Sequence, residues 1–212
     1  RDQPRSRGLG DVYKRQTVGG DIVVYGCYKY AHVRNAAWQT LIDYNVTELP
    51  VSLLKICRAA GIKVIRDSVC RQLNYGESGI SVKQGDIWYI IFDDTDTLQR
   101  IRFTIAHELG HIFLGHELKY GYHTRKYNIV KPSDETEADM FAARLLAPAC
   151  VLWGLGVQSA EDIAAICNIS YSAASIRFRR LETLRERNSF FLNPLEQKVY
   201  DNFKEYMQNY NR

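Results

Sequence analysis

Residues 107–111 read His-Glu-Leu-Gly-His, and they lie inside a segment, IRFTIAHELGHIFLG at 101–115, that is apolar on nearly every helical face. A helix that is apolar all round is a buried one. Burying two histidines and a glutamate in it is unfavourable unless a partner satisfies them. Since residues four apart lie on the same face of a helix, His107 and His111 can both point at one ion. The sequence therefore predicts a buried metal site on this helix.

Glu108 lies one step round the same helix, beside the predicted ion. This is where a general base for a water molecule on a zinc ion belongs. The alternative is that His107 and His111 are buried core histidines that bind no metal and are satisfied by hydrogen bonds to other protein groups. The pair of histidines, the adjacent glutamate and the apolar surroundings together favour Zn²⁺.

Two histidines leave a zinc site one protein ligand short, and the candidates for the third are His116, His123 and an acid further along the chain. A second predicted helix, DETEADMFAARLLAP at 134–148, carries Glu135 and Asp139 four residues apart on one face. We expect Glu135 to bind the metal and Asp139 to accept the second ring N–H of a ligand histidine. The alternative is a solvated acidic first turn that interacts favourably with the helix dipole.

His116 follows His111 by five residues, and that spacing should turn its side chain away from the ligand face. A histidine near a helix C-terminus is the simpler interpretation. His123 lies in a predicted loop with Tyr120, Tyr122 and Tyr127, any of which could stabilise an oxyanion. The simpler interpretation is that they are ordinary surface-loop residues, and the sequence does not choose among the four.

The run HELGHIFLGH followed by ETEADMFAARLLAP resembles the ImmA/IrrE family of metallopeptidases. The resemblance covers about residues 28–185, and LPVSLLKICRAAGIKV is similar to the family's N-terminal helix and strand. It implies a zincin-like fold and a zinc ligand at Glu135, the first acid of the second motif. Two positions depart from the family pattern: Asp139 replaces the usual Asn, and Ala147 replaces the usual Met before the proline. Neither departure removes a ligand.

Hydrophobic periodicity and turn residues predict the remaining elements. The predicted helices span 28–45, Pro50–Gly61, 98–115, Ser133 or Asp134 to Pro148, and about 159–167, 171–187 and 194–209. The predicted strands are 62–65, 79–82 and 87–92, with a hairpin turn at Gln84-Gly85 and a loop at 117–132. Strand 87–92 is a candidate sheet edge on which an extended peptide substrate could pair.

The expected fold class is α+β, with a zincin-like peptidase core that contains a small β-sheet and the buried helix, followed by a helical C-terminal module. We predict a non-native or disordered arm at 1–16, the core at 17–150 and the module at 151–212. Residues 1–16 carry five basic and two acidic side chains, and without them the formal charge of +4 falls to +1. The basic pI is therefore weak evidence for nucleic-acid binding.

Residues 159–181 are typical of a helix-turn-helix. Its second helix is rich in arginine, and packing or partner contact is a better explanation of that helix than DNA recognition. The arginines in question are Arg177, Arg179, Arg180, Arg185 and Arg187. No apolar run is long enough for a membrane span, the first 30 residues show no export signal, and the five cysteines include no CxxC. A cytoplasmic protein with reduced thiols is expected.

The expected activity is therefore that of a zinc metalloendopeptidase. The resemblance implies regulatory cleavage of a helix-turn-helix repressor of a phage or mobile element. Two other classes remain open: a zinc-containing binding protein without useful peptidase activity, and a DNA-binding regulator in which the metal is structural or sensory. The sequence makes no prediction of oligomeric state.

Overall fold

The computed structural model describes the backbone of residues 14–18, 21–25 and 122–126, and both backbone and side chains of residues 30–116 and 133–210. In chain order the elements are β1 (Lys14–Val18), β2 (Asp21–Tyr25), α1 (Ala31–Asp43), α2 (Leu53–Ala59), β3 (Lys63–Arg66), α3 (Asp67–Cys70), β4 (Glu77–Gln84), β5 (Ile87–Phe92), α4 (Leu98–Leu114), β6 (Tyr122–Lys126), α5 (Ser133–Leu146), α6 (Ala149–Gly154), α7 (Ala160–Cys167), α8 (Tyr171–Glu186), α9 (Pro194–Asn202) and α10 (Lys204–Tyr210). The predicted α+β class is confirmed.

The chain divides into two compact units, one ending at His32 and the other beginning at Val33. In the first unit, β1 and β2 form an antiparallel hairpin that pairs Lys14 with Tyr25 and Val18 with Asp21. Residues 14–16 of the predicted arm thus belong to a strand, and residues 1–13 lie outside the described residues. The proposed origin of that arm stays a prediction.

The second unit contains a four-stranded sheet in the order β3-β5-β4-β6. β3 runs parallel to β5, whereas β4 pairs antiparallel with both β5 and β6. The β4–β5 hairpin was predicted from the sequence, and its two-residue turn is Gly85-Asp86, one residue later than expected. Gly85 has a φ of +60°, the left-handed conformation that glycine adopts at little cost.

Two expectations about the sheet are wrong. β5 is an inner strand with a partner on each side, so it offers no edge for a substrate. Part of the predicted 117–132 loop is a strand instead: β6 pairs with β4 and stands at the end of the sheet. Both errors come from pairings between segments that are distant along the chain, and local sequence patterns do not report such pairings.

Helix α4 has the bounds that its sequence predicts. Thr97 caps its start, because the side-chain oxygen accepts a hydrogen bond from the backbone N–H of Arg100 at 3.4 Å. Gly115, at a φ of +69°, ends it. Every residue from Thr104 to His111 is buried, as expected for a helix that is apolar all round.

Helix α5 packs closely against α4 because small residues meet at the contact. Ala138 and Ala142 are fully buried, and they face α4 together with Phe141. A methyl group added at Gly110 would lie 3.1 Å from Ala138 Cα and 3.2 Å from Phe141 Cδ1. The glycine of the HELGH run therefore permits the approach of α5.

Helices α2, α6, α9 and α10 differ from expectation. α2 begins at Leu53 rather than Pro50, since Ser52 takes the N-cap position. A short helix, α6, was not predicted and spans the expected boundary between core and module; that boundary stays a prediction. The helix predicted over 194–209 is interrupted at Phe203 and forms α9 and α10.

Helices α7 and α8 form the predicted helix-turn-helix arrangement, in which Asn168 ends α7 in the left-handed conformation and Ser170 caps α8. Arg102 connects α4 to this pair. Its guanidinium donates to the backbone oxygens of Asn168 at 3.2 Å, Cys167 at 3.4 Å and Val51 at 3.1 Å. None of the helices in the described ranges is long and apolar enough to cross a lipid bilayer.

The substitution Gly110→Ala has two opposite effects on the free energy of unfolding. Helix propensity alone favours alanine by about 1 kcal/mol. The close approach of Ala138 makes the added methyl group overpack the α4–α5 contact, which should cost about 1–3 kcal/mol and outweigh the propensity gain. Urea unfolding should show a less stable variant. A variant more stable than the wild type would contradict the close contact.

Arg102→Ala should lower the free energy of unfolding by about 2–3 kcal/mol, because hydrogen bonds from a charged donor to partly buried carbonyls are lost. Arg102→Lys should be intermediate, since an ammonium group cannot reproduce the guanidinium fork. Arg58→Ala, at an exposed position on α2, is the matched control and should change stability by less than about 0.5 kcal/mol. Equal stability of the two alanine variants would show that Arg102 does not join α4 to α7.

Candidate metal centre

Three potential ligand atoms meet where α4 and α5 touch. His107 and His111 come from α4 and are 0% and 1% exposed, and Glu135 comes from the first turn of α5. His107 Nε2 lies 3.0 Å from His111 Nε2 and 3.3 Å from Glu135 Oε2. His111 Nε2 lies 3.4 Å from Glu135 Oε1. The structure thus brings together the three residues predicted as metal ligands.

These distances fit a tetrahedral zinc ion. Zinc bonds of about 2.0–2.1 Å to nitrogen or oxygen place neighbouring ligand atoms about 3.3 Å apart. The separation of the two imidazole nitrogens, 3.0 Å, and their separations from the two oxygens of Glu135, 3.3 and 3.4 Å, lie around that value. Two imidazole nitrogens and one carboxylate oxygen are also a donor set that zinc takes in peptidases, with one position left open. The geometry and chemistry of the cluster therefore fit Zn²⁺.

The electrostatics of the cluster favour the protonation states that bind a metal. Burial raises the pKa of Glu135, but hydrogen bonds and charge attraction from His107 and His111 outweigh it and hold the pKa well below its usual range. Burial lowers the pKa of His111. At neutral pH, Glu135 is therefore ionised and His111 is neutral.

Asp139 lies one turn beyond Glu135 on α5. Its Oδ1 is 2.9 Å from His107 Nδ1, the ring nitrogen that faces away from the cluster. A carboxylate in this position accepts the Nδ1–H and leaves the Nε2 lone pair pointing at the cluster. The role of Asp139 in metal binding stays a prediction.

His116 is not one of the clustered ligands, but its side chain contacts the ring nitrogen of His111 that faces away from the cluster, a contact that the spacing did not predict. Its Nδ1 lies 2.9 Å from His111 Nδ1, and its Nε2 lies 3.4 Å from Glu137 Oε2. Helical spacing misleads here because α4 ends at Leu114 and the chain turns at Gly115. The glycine was a usable signal, since a residue beyond a helix C-cap no longer follows the 3.6-residue period.

Glu108 is fully buried and lies on the side of α4 that meets the sheet. Gly79 of β4 packs against this side: a methyl group there would lie 3.8 Å from Glu108 Cγ and would clash with Thr104, one turn earlier on α4. The hydroxyls of Thr104 and Ser81 are buried in the same α4–β4 contact. The glutamate, which follows His107 in the chain, is therefore held by packing against the sheet, and the buried hydroxyls of Thr104 and Ser81 were missed at the level of sequence.

The candidates for an oxyanion donor remain open. His123 and Tyr122 belong to β6, where they pair in register with Ser81 and Val82 of β4. Tyr120 and Tyr127 lie outside the described residues.

The buried cysteines are unsuited to metal binding. Burial raises the pKa values of the Cys57, Cys150 and Cys167 thiols to about 12, so they stay protonated at neutral pH. These three and the half-buried Cys70 are free thiols, whereas Cys27 falls outside the described ranges.

Arg177 and Arg185 of α8 bind backbone oxygens elsewhere in the protein. Arg177 Nε donates to the backbone oxygen of Ala147 at 2.6 Å, and Arg185 donates to that of Val157 at 2.7 Å. Burial lowers the pKa of Arg177 to about 10. These contacts hold α8 against its own chain and leave fewer charges for a nucleic-acid surface.

Comparison with known proteins places this site in a family. A search of curated proteins finds no significant match. The model of the peptidase M78 family, described as the IrrE N-terminal-like domain, matches residues 57–179. The matched span is more than half of the chain and includes α4, α5 and most of the helix-turn-helix pair. The zincin-like core expected from the sequence agrees with this match and with the cluster of His107, His111 and Glu135. The chain therefore belongs to the M78 family of metallopeptidases, with an IrrE N-terminal-like domain.

Proposed function

We propose that this peptidase is a zinc-dependent endopeptidase in which His107, His111 and Glu135 bind the metal and Glu108 is the general base. The observation that carries the proposal is the convergence of two imidazole nitrogens and the Glu135 carboxylate, with separations of 3.0 to 3.4 Å, on a helix that also carries the fully buried Glu108. A structural zinc site needs no such carboxylate, so its presence favours catalysis over a purely structural metal.

When bound, Zn²⁺ would polarise the carbonyl of a peptide bond and lower the pKa of a water molecule in its open position. Glu108 would be the general base that takes a proton from the attacking water. The same carboxyl group then donates the proton to the leaving nitrogen when the C–N bond breaks. Packing of α4 against Gly79 fixes Glu108 for both transfers.

Asp139 supports this arrangement by accepting the Nδ1–H of His107 at 2.9 Å. The hydrogen bond selects the tautomer whose Nε2 lone pair faces the metal and makes that nitrogen a stronger donor. Asp139 is therefore a positioning residue in the proposal.

The proposed substrate is a protein, and the resemblance to ImmA/IrrE peptidases suggests a helix-turn-helix repressor of a phage or mobile element, cleaved in the cytoplasm. DNA binding is not part of the proposal, since Arg177 and Arg185 make contacts within the protein.

Glu135→Ala should lose most of the bound zinc, because two imidazoles alone are an incomplete ligand set. Asp134→Ala removes the neighbouring acid, which accepts a hydrogen bond only from Ser133 in the described structure, and is the matched control. Elemental analysis of dialysed protein should give about one zinc per chain for the wild type and for the control. Equal zinc content in Glu135→Ala would remove this residue from the ligand set.

Glu108→Gln should keep zinc and fold but lose peptide cleavage by about 10²–10⁴-fold, because the amide has nearly the same shape and cannot accept the proton. A library of quenched fluorescent peptides first identifies a sequence that the wild type cleaves, and both proteins are then assayed on that peptide. An unchanged rate in a variant with full zinc content would contradict the role of Glu108.

Asp139→Ala should weaken zinc affinity or cleavage by about 10–100-fold, because the His107 ring loses its hydrogen-bond acceptor. Asp139→Asn should retain most of both, since an amide oxygen still accepts the N–H. Chelator competition measures the zinc affinity of all three proteins. If Asp139→Ala binds zinc as tightly as the wild type, Asp139 is only a solvated helix acid, and its loss should change stability by less than about 0.5 kcal/mol.

A further inference from the structure

His107 and His111 each have a polar partner at Nδ1, the ring nitrogen that faces away from the cluster. One partner is a carboxylate and the other is an imidazole. His107 Nδ1 meets the carboxylate of Asp139 at 2.9 Å. His111 Nδ1 meets another imidazole, His116 Nδ1, at 2.9 Å. His116 in turn meets Glu137 at 3.4 Å.

The contact between His111 and His116 determines where the protons lie. A hydrogen bond between two imidazole nitrogens needs one N–H donor and one bare acceptor. His111 must keep Nε2 bare to bind a metal, so its proton lies on Nδ1 and is donated to His116 Nδ1. A neutral His116 then carries its own proton on Nε2, which is the nitrogen that faces Glu137 Oε2.

We propose that His116, oriented by Glu137, is a positioning residue that holds His111 in its metal-binding tautomer. The proposal rests on the ligand set given above and adds a second supporting chain, Glu137 to His116 to His111. Helix α5 then supplies three carboxylates with three tasks: Glu135 to the metal, Asp139 to His107 and Glu137 to His116.

The position of His116 is built into the end of α4. Gly115 turns the chain at a φ of +69°, and the backbone N–H of His116 donates to the carbonyl oxygen of His111 at 3.1 Å. The His116 side chain is only 8% exposed, and its ring meets that of His111 edge-on, with centroids 5.0 Å apart and planes at 72°. A histidine that only interacted with the helix dipole would not need to be buried against the His111 ring.

The test uses three substitutions of His116 that differ in where they place a hydrogen-bond acceptor. In His116→Asn the side-chain oxygen can occupy the position of Nδ1 and accept the N–H of His111. In His116→Gln the amide reaches the position of Nε2 instead, and His116→Leu has no acceptor. Zinc affinity is measured by chelator competition, and thermal unfolding of the metal-free proteins checks the fold.

Zinc affinity should fall by about 10–100-fold in His116→Leu and His116→Gln, and His116→Asn should stay within about threefold of the wild type. Glu137→Ala should show a smaller loss than His116→Leu, because it acts through the imidazole. His32→Leu changes an exposed histidine outside the cluster and should bind zinc as the wild type does. Long-range ¹H–¹⁵N spectra of the zinc-loaded protein should show His111 protonated on Nδ1 and His116 on Nε2.

Two outcomes separate this inference from the proposed function. If the wild type binds one zinc, Glu135→Ala loses it, and His116→Leu binds as tightly as the wild type, the supporting role of His116 is wrong and the ligand set stands. If the wild type and Glu135→Ala both fail to bind zinc, the ligand set itself is wrong and the role of His116 falls with it.

Discussion

The burial of two imidazoles and a carboxylate inside an apolar helix is the constraint on which the rest of the structure depends. His107, Glu108 and His111 are all at most 1% exposed, and polar groups at such positions need partners. Helix α5 provides them for the histidines, and it can do so only because Gly110 and Ala138 let the two backbones approach closely. The sheet packs against Glu108, which lies one step round α4 from His107. The packing of α4 thus turns the two histidines towards α5 and holds a buried carboxylate against the sheet.

The features predicted correctly from the sequence are those that local rules determine. The predicted bounds of α4 agree with its structure, and the i, i+4 spacing of Glu135 and Asp139 places both near the histidines. The features that were missed depend on contacts between distant segments. β6 is a polar segment, Tyr-His-Thr-Arg-Lys, without apolar alternation, and it is a strand because β4 is available to pair with it. β5 becomes an inner strand only because β3 pairs with its other side.

His116 shows how a local rule fails beyond its range. Helical spacing applies up to Leu114, and a left-handed glycine then changes the direction of the chain. The side chain that should point away contacts His111 instead, and it reaches Glu137 on α5. Each of the three acids in the Glu-Thr-Glu-Ala-Asp run thus lies beside a histidine. Glu135 lies beside both His107 and His111, Glu137 beside His116 and Asp139 beside His107. Sequence spacing alone predicted two of these contacts, because Glu137 is off the face that Glu135 and Asp139 share.

The most direct test of the central claim, that two histidines and a carboxylate hold zinc beside Glu108, is X-ray absorption spectroscopy at the zinc edge of the purified wild-type protein. The account predicts four nitrogen or oxygen neighbours at about 2.0–2.1 Å, with the scattering pattern of two imidazole rings and no sulfur. A sulfur neighbour at about 2.3 Å would contradict it, because that distance indicates a cysteine ligand. The spectrum of a hydrated ion without imidazole would contradict it equally.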